Sequence, residues 1–383
     1  MYIDDSDIEL TYINSEKEFH GLAKDWNRLA ELSDAHSVFL RHEWFEASWQ
    51  WLKFECELSI VCVKRDNIII GIIPMVLRTV KRFGIKLNKL EFMSIPDTQL
   101  CEVISARKDY AKIIHVFVLW LKSKEKNWDF LEFGKLAEDS EIHDALTLVT
   151  SQYAFNIDRK QDGVNSGVSL ADTWEEYYAR RSRRLKKGNN HVLNKLKRSG
   201  KSFEIKYLNA ASADNKDVEA TLKSAIELSS LSWKSKTGLT LENPGPLSFI
   251  NTITDYAYKN GWLSIWTLLI DDVPAAMEYQ LDYDGIIYAL RADYNPEYEE
   301  LSPGTYLNWK ILDSLFHNES VYYSMGPGSN EYKARWTEEL PVLYKIVVYN
   351  KNFYGFFLYY WDQKLLPLVR RSYKRFKRLV GKE

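Results

Sequence analysis

Cysteine is scarce in this chain: Cys56, Cys62 and Cys101 are the three among 383 residues. An odd, sparse set without close pairs argues against a disulfide scaffold and against a cysteine-built zinc site. Histidine is nearly as rare, with seven residues and no paired ligand spacing, so no metal is expected. Long hydrophobic runs are missing as well: the longest, such as 68–77 and 113–121, fall far short of a bilayer span. The N-terminal Met1-Tyr-Ile-Asp-Asp-Ser-Asp7 is acidic and lacks the basic region of a signal peptide. A net charge of −2 provides no global field for nucleic acid or anionic membrane, so any such attraction must be local. No Gly-x-Ser-x-Gly elbow, Walker-type loop, His-Glu-x-x-His or Cys-x-x-Cys occurs, which removes the usual hydrolase, NTPase and metalloenzyme readings. A soluble protein of a reducing cytoplasm is expected.

What is present supports a packed core: 45% hydrophobic residues, with 13 Trp and 24 Tyr, on a chain long enough for two domains. The pattern 58–64 alternates, Arg65-Asp66-Asn67 reads as a turn, and 68–77 returns, with Pro74 marking a bulge or an edge. The same device recurs at 262–281 around a turn at Asp271-Asp272. A helical run over 110–122 precedes a strand at 128–134, as the helix 305–316 follows the second hairpin and precedes a strand at 321–326. The copies lie roughly 190–205 residues apart, which reads as an internal duplication. Between them, 163–167 reads as a loop, and the domain boundary is placed between residues 158 and 172. The segment 174–200 reads as a basic helix capped by Asp172 or Thr173.

The densest run of functional signals is 285–336. Gly285-Ile-Ile-Tyr-Ala-Leu-Arg-Ala-Asp293 is strand-like, Pro296 breaks a loop, and Ser302-Pro303-Gly304 opens a helix at Thr305. A small-residue helix start after a strand holds anions through backbone N–H groups and the helix dipole, so a phosphate-bearing ligand is the leading expectation. An N-capped helix with Pro in its first turn is the plain alternative. A second signal is the basic run Arg180-Arg-Ser-Arg183-Arg-Leu-Lys-Lys187. It reads either as a solvated helix face or as a grip for cofactor phosphates, an acidic glycan or RNA, with Arg183 at its centre.

Residues 292–298 (Ala-Asp-Tyr-Asn-Pro-Glu-Tyr), 301–304 (Leu-Ser-Pro-Gly) and 326–333 (Gly-Pro-Gly-Ser-Asn-Glu-Tyr-Lys) resemble the signature of bacterial acyltransferases of the GNAT superfamily. The group named after the cellulose-biosynthesis protein CelD is the nearest, and FemAB-type aminoacyltransferases are more distant. His42-Glu-Trp44-Phe45, Ile70-Gly-Ile-Ile-Pro74 and Leu231-Ser-Trp233-Lys234 also fit. The resemblance implies an α/β fold of two tandem GNAT-like halves, each a mixed sheet flanked by helices. The corresponding division is 1–160, a catalytic half at 161–360, and a basic tail at 361–383.

The implied activity is transfer of an acyl group, acetyl from acetyl-CoA or another acyl-CoA, to an amino group of a sugar or polysaccharide precursor. A FemAB-like transferase using aminoacyl-tRNA, or a non-catalytic glycan-binding protein, are the alternatives. The family pattern Gln/Arg-x-x-Gly-x-Gly/Ala for coenzyme A is met here by Glu299-Glu-Leu-Ser302-Pro303-Gly304. Only the last glycine is kept, and Pro303 removes an N–H. Ser302, Gly304, Thr305, Arg183 and Lys333 are the expected donor contacts. Acyl transfer to an amine needs a base, a donor for the carbonyl oxygen and an acid for the thiolate. Asp293 is the expected base, Glu278 its competitor, and Tyr332 the acid, unless Asp293 caps its loop and Tyr332 packs. In similar proteins Trp233 and Lys234 lie near the cleft; Trp233, like Trp44, reads either as a stacking wall for the acceptor or as core. In the tail, Tyr373, Phe376, Leu379 and Val380 recur at helical spacing among Lys and Arg. That is either a solvated helix or one that rests on an anionic membrane at the inner face.

Overall fold

The computed structural model describes residues 8–123, 128–153, 155–232, 238–337 and 339–379. The first half runs β1 (Ile8–Ile13), α1 (Glu16–Gly21), α2 (Ala23–Leu32), α3 (His42–Leu52), β2 (Cys56–Leu58), β3 (Ile60–Arg65), β4 (Ile68–Ile73), β5 (Met75–Arg82), β6 (Ile85–Phe92), β7 (Ile104–Ser105), α4 (Tyr110–Lys122), β8 (Phe130–Leu136), α5 (Ile142–Tyr153) and β9 (Asn156–Ser169). The second runs α6 (Trp174–Arg180), α7 (Arg183–Arg198), β10 (Phe203–Asn209), α8 (Asn215–Leu231), α9 (Pro244–Lys259), β11 (Leu263–Ile270), β12 (Val273–Tyr283), β13 (Ile286–Tyr294), α10 (Pro303–Leu315), β14 (Tyr322–Pro327), α11 (Glu331–Trp336) and β15 (Val342–Tyr349). The helices α12 (Phe353–Tyr360) and α13 (Leu366–Leu379) follow, joined by a π-turn over Trp361–Leu365.

Both expected hairpins form. Their turns place Asp66 and Asn67, and Asp271 and Asp272, at positive φ, the mirror-image turn whose twist suits a hairpin. Asp and Asn tolerate that region better than other side chains. Pro74 sits between β4 and β5, where the first hairpin steps from one sheet to the other. Having no N–H to donate, it can only accept, and its carbonyl takes Met93 N–H at 2.9 Å.

One sheet is β1-β3-β4-β7; the other has eleven strands in the order β10-β11-β12-β13-β14-β9-β15-β8-β6-β5-β2. Two parallel pairs stand out, β13·β14 and β6·β8, reached through the crossover helices α10 and α4. They are the duplicated unit. The halves then exchange their last strands. β9, from the first half, pairs with β14, while β15, from the second, pairs with β8. β9 and β15 also pair with each other, from Asn156↔Tyr349 to Val342↔Val164. The segment 163–167, expected as a loop, is therefore strand, and a division at residue 160 falls inside it. A Cβ at Gly167 would lie 1.8 Å from the Tyr322 hydroxyl oxygen, so a larger residue there would have to displace that ring.

The largest core cluster joins α2 and α3 of the first half to α8, α9 and β11–β13 of the second. Trp44 lies at its centre, fully buried, with ring centroids 4.6 Å from Phe39 and 5.2 Å from Phe249. The halves thus share apolar surface as well as strands. Among the described residues, no helix is long and apolar enough to cross a membrane.

Candidate active site

β13 and β14 are hydrogen-bonded only over Ile286–Tyr288 and Tyr322–Ser324. Beyond that they diverge. β13 stays with β12 as far as Tyr294↔Ala276, while β14 turns toward β9, where Pro327 faces Asn165. Gly326 makes the turn at φ +82°, with the Ala289 carbonyl 3.3 Å from where a Cβ would be. The fork opens into a cavity of about 520 Å³, lined by both strands, the start of α10, α11, and Pro96 and Asp97 of the first half.

Glu278 and Asp293 both line this cavity. The register sets Glu278 opposite Ala292 and Asp293 opposite Met277, so with a period of two the carboxylates leave the sheet on opposite faces. Glu278 is held in a buried polar network. Tyr323 donates its hydroxyl at 2.5 Å and Gln280 its Nε2 at 2.7 Å. Gln280 Oε1 in turn accepts from Ser264 Oγ and Trp266 Nε1. Burial raises the Glu278 carboxyl above its usual range, although the donors around it, Tyr323, Gln280 and Asn308, pull the other way. Asp293 is buried on the face shared with Arg291.

Tyr332, the second residue of α11, is 41% exposed on the cavity wall. Desolvation first, and then the charge of Glu278, raise its hydroxyl pKa, so it keeps its proton at neutral pH. Lys333 is turned inward: its Nζ donates to the carbonyls of Gly326 (2.8 Å) and Pro327 (2.9 Å). It braces the loop at the fork, where the sequence suggested a direct donor contact.

The turn before α10 offers fewer donors than expected. Ser302 is left-handed, at φ 54°, and makes no side-chain cap. Its N–H goes to the Glu299 carbonyl, and that of Thr305 goes to the Ser302 carbonyl. Pro303 has none. Of this turn, that leaves the Gly304 N–H as the one that could meet an anion, at a helix N-terminus that lines the cavity. Arg183 is exposed in the first turn of α7, which packs on α10 and contributes Leu185 to the lining. Trp44 is core, as above, and does not reach the cavity. Trp233 and Lys234 lie outside the described residues.

Several lining residues had no sequence signal as a set. Asp97 and Gln99, in the segment after β6, reach across to the second half. Arg291 Nε and one terminal nitrogen lie 2.9 and 2.7 Å from Asp97 Oδ2, both side chains buried. Gln99 bridges the fork at its apex: its Nε2 donates to Ala289 O at 2.9 Å, and its Oε1 accepts from Ser324 Oγ. Lys135 fastens this segment from behind, donating to the carbonyls of Ile95, Pro96 and Thr98. Arg335 and Asn308 also line the cavity. The one legible hint was Arg291, two residues before Asp293 on a strand already singled out. The cysteines stand apart from this chemistry: burial pushes the thiols of Cys62 and Cys101 up to about 12, which disables them as nucleophiles.

Residues 176–334 match the family model of the acetyltransferase (GNAT) domain. No curated protein matches the chain in sequence. Similar solved structures include the C-terminal domain of a presumed lysylphosphatidylglycerol synthetase from Agrobacterium fabrum. Its TM-score is 0.53 at 10% identity, over 88% of this chain and 94% of that one. FemX matches with a TM-score of 0.52 at 10% identity, over 92% and 98%. L-PGS from Bacillus licheniformis gives 0.51 at 11%, over 88% and 93%. At such identities the likeness is one of fold. It extends over nearly the whole chain, across both copies of the duplicated unit. Over residues 176–334 the second half is similar to acetyltransferase (GNAT) domains.

Proposed function

We propose that the protein is an N-acyltransferase that moves an acyl group, acetyl in the simplest case, from an acyl-CoA to an amino group. The acceptor class we favour is an amino sugar of a cell-envelope polysaccharide precursor, as the CelD-like resemblance implies, handled on the cytoplasmic side. The observation that carries this reading is the fork. Two parallel strands part beside a helix N-terminus, leaving room for a thioester arm between them and an anion at Gly304.

In this reading the amine approaches from the face of Asp293, which takes its proton. The nitrogen forms the amide bond to the thioester carbon, and the C–S bond breaks. Tyr332, still protonated, gives its proton to the departing thiolate. Glu278, fixed by Tyr323 and Gln280, sets the field around Tyr332 and is the alternative base. The second reading, an aminoacyl-tRNA donor, is favoured by the exposed basic start of α7 beside α10 and by the reduced donor set at Ser302–Thr305.

Calorimetry separates the two. The wild-type protein should bind acetyl-CoA. Gly304→Asp should lose more than tenfold in affinity, about 1.4 kcal/mol or more, by setting a like charge against the phosphates. The fold should tolerate this change, because the nearest atom to an added Cβ is Tyr294 Cδ1 at 3.9 Å. No binding of any acyl-CoA by the wild type would overturn the reading, and a thermal shift with aminoacyl-tRNA would then support the second.

A further inference from the structure

The C-terminal helices have one face fixed and one face exposed. On the fixed face Leu358 is fully buried against Tyr349, Val347, Phe130 and Leu87. Phe83, at the tip of the β5–β6 hairpin, packs on Trp361 with ring centroids 4.5 Å apart. Arg82 pairs with Asp362, which also accepts from the Tyr349 hydroxyl. The helix is thus bolted to the sheet. On the exposed face Phe353 is 78% exposed and Phe356 62%, followed by Tyr360, Leu368 and Val369, all half exposed or more.

That face is continuous. Tyr360, Trp361 and Leu366 keep right-handed helical angles through the junction, so α12, the π-turn and α13 form one rod over 353–379. The apolar positions advance by three or four residues except across the π-turn, where Tyr360 is followed by Leu365. A π-turn holds about one extra residue, so the wider step keeps the stripe on one side of the rod. The residues between the apolar ones are basic. Within 366–379 there are six Lys or Arg and no Asp or Glu, on a chain whose net charge is −2.

We propose that this rod is a docking surface for an anionic lipid bilayer. It would lie in the interface with Phe353 and Phe356 entering the acyl boundary and the basic residues at the headgroups. Three observations favour a bilayer. Exposed aromatic residues flanked by Lys and Arg suit the membrane–water interface. Among the described residues no helix can span, which leaves a surface mode for this rod. A second copy paired two-fold through the basic segment would set its six positive charges against the same six. The inference stands on the tail alone and does not depend on the acyl-transfer reading.

The test is co-sedimentation of the 383-residue chain with vesicles of phosphatidylglycerol and of phosphatidylcholine, at low and high salt. The wild type should pellet with phosphatidylglycerol at low salt, much less with phosphatidylcholine, and be released by salt as the headgroup attraction is screened. Phe353→Ser with Phe356→Ser removes no charge and no buried contact. It should lower vesicle affinity by tenfold or more and leave the thermal unfolding midpoint unchanged. The proposal is overturned if the wild type stays in the supernatant with phosphatidylglycerol, or if the double variant pellets as well as the wild type. It is equally overturned if sedimentation velocity shows a dimer that the double variant dissolves, which would make the face a self-association surface.

Discussion

Removing the Asp97 carboxylate should damage this protein more than any other single change at the cleft. Asp97 and Arg291 are buried, with side-chain exposures of 8% and 6%, and they join the two halves at the cavity wall. Arg291 also donates to the Leu239 carbonyl at 2.8 Å, so its guanidinium cannot turn to solvent without breaking a second bond. Lys135, which fastens the Asp97 segment from β8, feels the Asp97 charge as well. Asp97→Ala therefore leaves one buried cation without its counter-ion and weakens the field around another. Breaking a buried pair from one side costs about 3–5 kcal/mol. Arg291→Met should cost less, because Asp97 still faces Lys135. The double variant should come within about 1–2 kcal/mol of the wild type, since replacing both members by apolar groups is often nearly neutral. The cycle should then give a coupling of about 2 kcal/mol or more. Urea denaturation followed by tryptophan fluorescence measures all four proteins. If Asp97→Ala costs under about 1 kcal/mol, or the two single losses simply add, the pair does not hold the halves together as argued.

Three further outcomes follow from the same site. Tyr332→Phe should reduce kcat by about 100-fold or more with little change in KM, if its hydroxyl acts only in the transition state; steady-state kinetics with acetyl-CoA and a glucosamine-type acceptor would show it. Asp293→Asn should reduce kcat by a similar factor; if both variants keep wild-type turnover, Glu278 becomes the base to test. Glu278→Gln should have a pH-dependent effect on stability. Folding raises this carboxyl above its usual 4.5, so the unfolded chain ionises first, and the wild type loses stability as pH rises from about 4.5 to the folded value. The variant lacks that loss, so its melting temperature relative to the wild type should climb over that window and be highest at neutral to alkaline pH. A gain that grows instead toward low pH would contradict the burial argument.

Local structure was legible where local chemistry decides it. The turns at Asp66-Asn67 and Asp271-Asp272 needed residues that tolerate positive φ, and the sequence has them there. The cap of the basic helical segment read as Asp172 or Thr173; Thr173 makes it, in a capping box with Glu176, and the single helix expected over 174–200 is two, α7 restarting on its own cap at Ser182. The break at Pro74 was visible for the same kind of reason: no N–H, hence no continuous ladder. At the site, Asp293, Glu278, Gly304, Tyr332 and Lys333 were singled out and do line one cavity. Their individual roles were less accessible. That Lys333 turns its ammonium onto two carbonyls depends on the path of the loop at 326–328, and pattern alone does not give that path. Trp44 read as packing first and as a wall of the acceptor cleft second; burial between Phe39 and Phe249 makes it core.

What pattern could not supply is pairing between the halves. β9 and β15 are each plausible as the last strand of their own half, and alternation carries no record of a strand's neighbour. Gly163 and Gly167 made β9 look like a connection, because glycine weakens a strand and commonly marks turns. Here Gly167 lies against the Tyr322 ring of the other half, a contact 155 positions away in sequence. The exchange has a consequence for the cleft. β14 is held on one side by β13 for three residue pairs only, and on the other by β9 of the first half. The first half also supplies Gln99 at the apex, Asp97 on Arg291, and through Lys135 the carbonyl bonds that stiffen their segment. The second half therefore does not own its cleft. One of its two diverging strands is set by a strand from the first half, and Pro96 and Asp97 of the first half line the cavity. Any change that loosens the contact between halves should widen the fork before it unfolds either half, and so weaken donor and acceptor binding together.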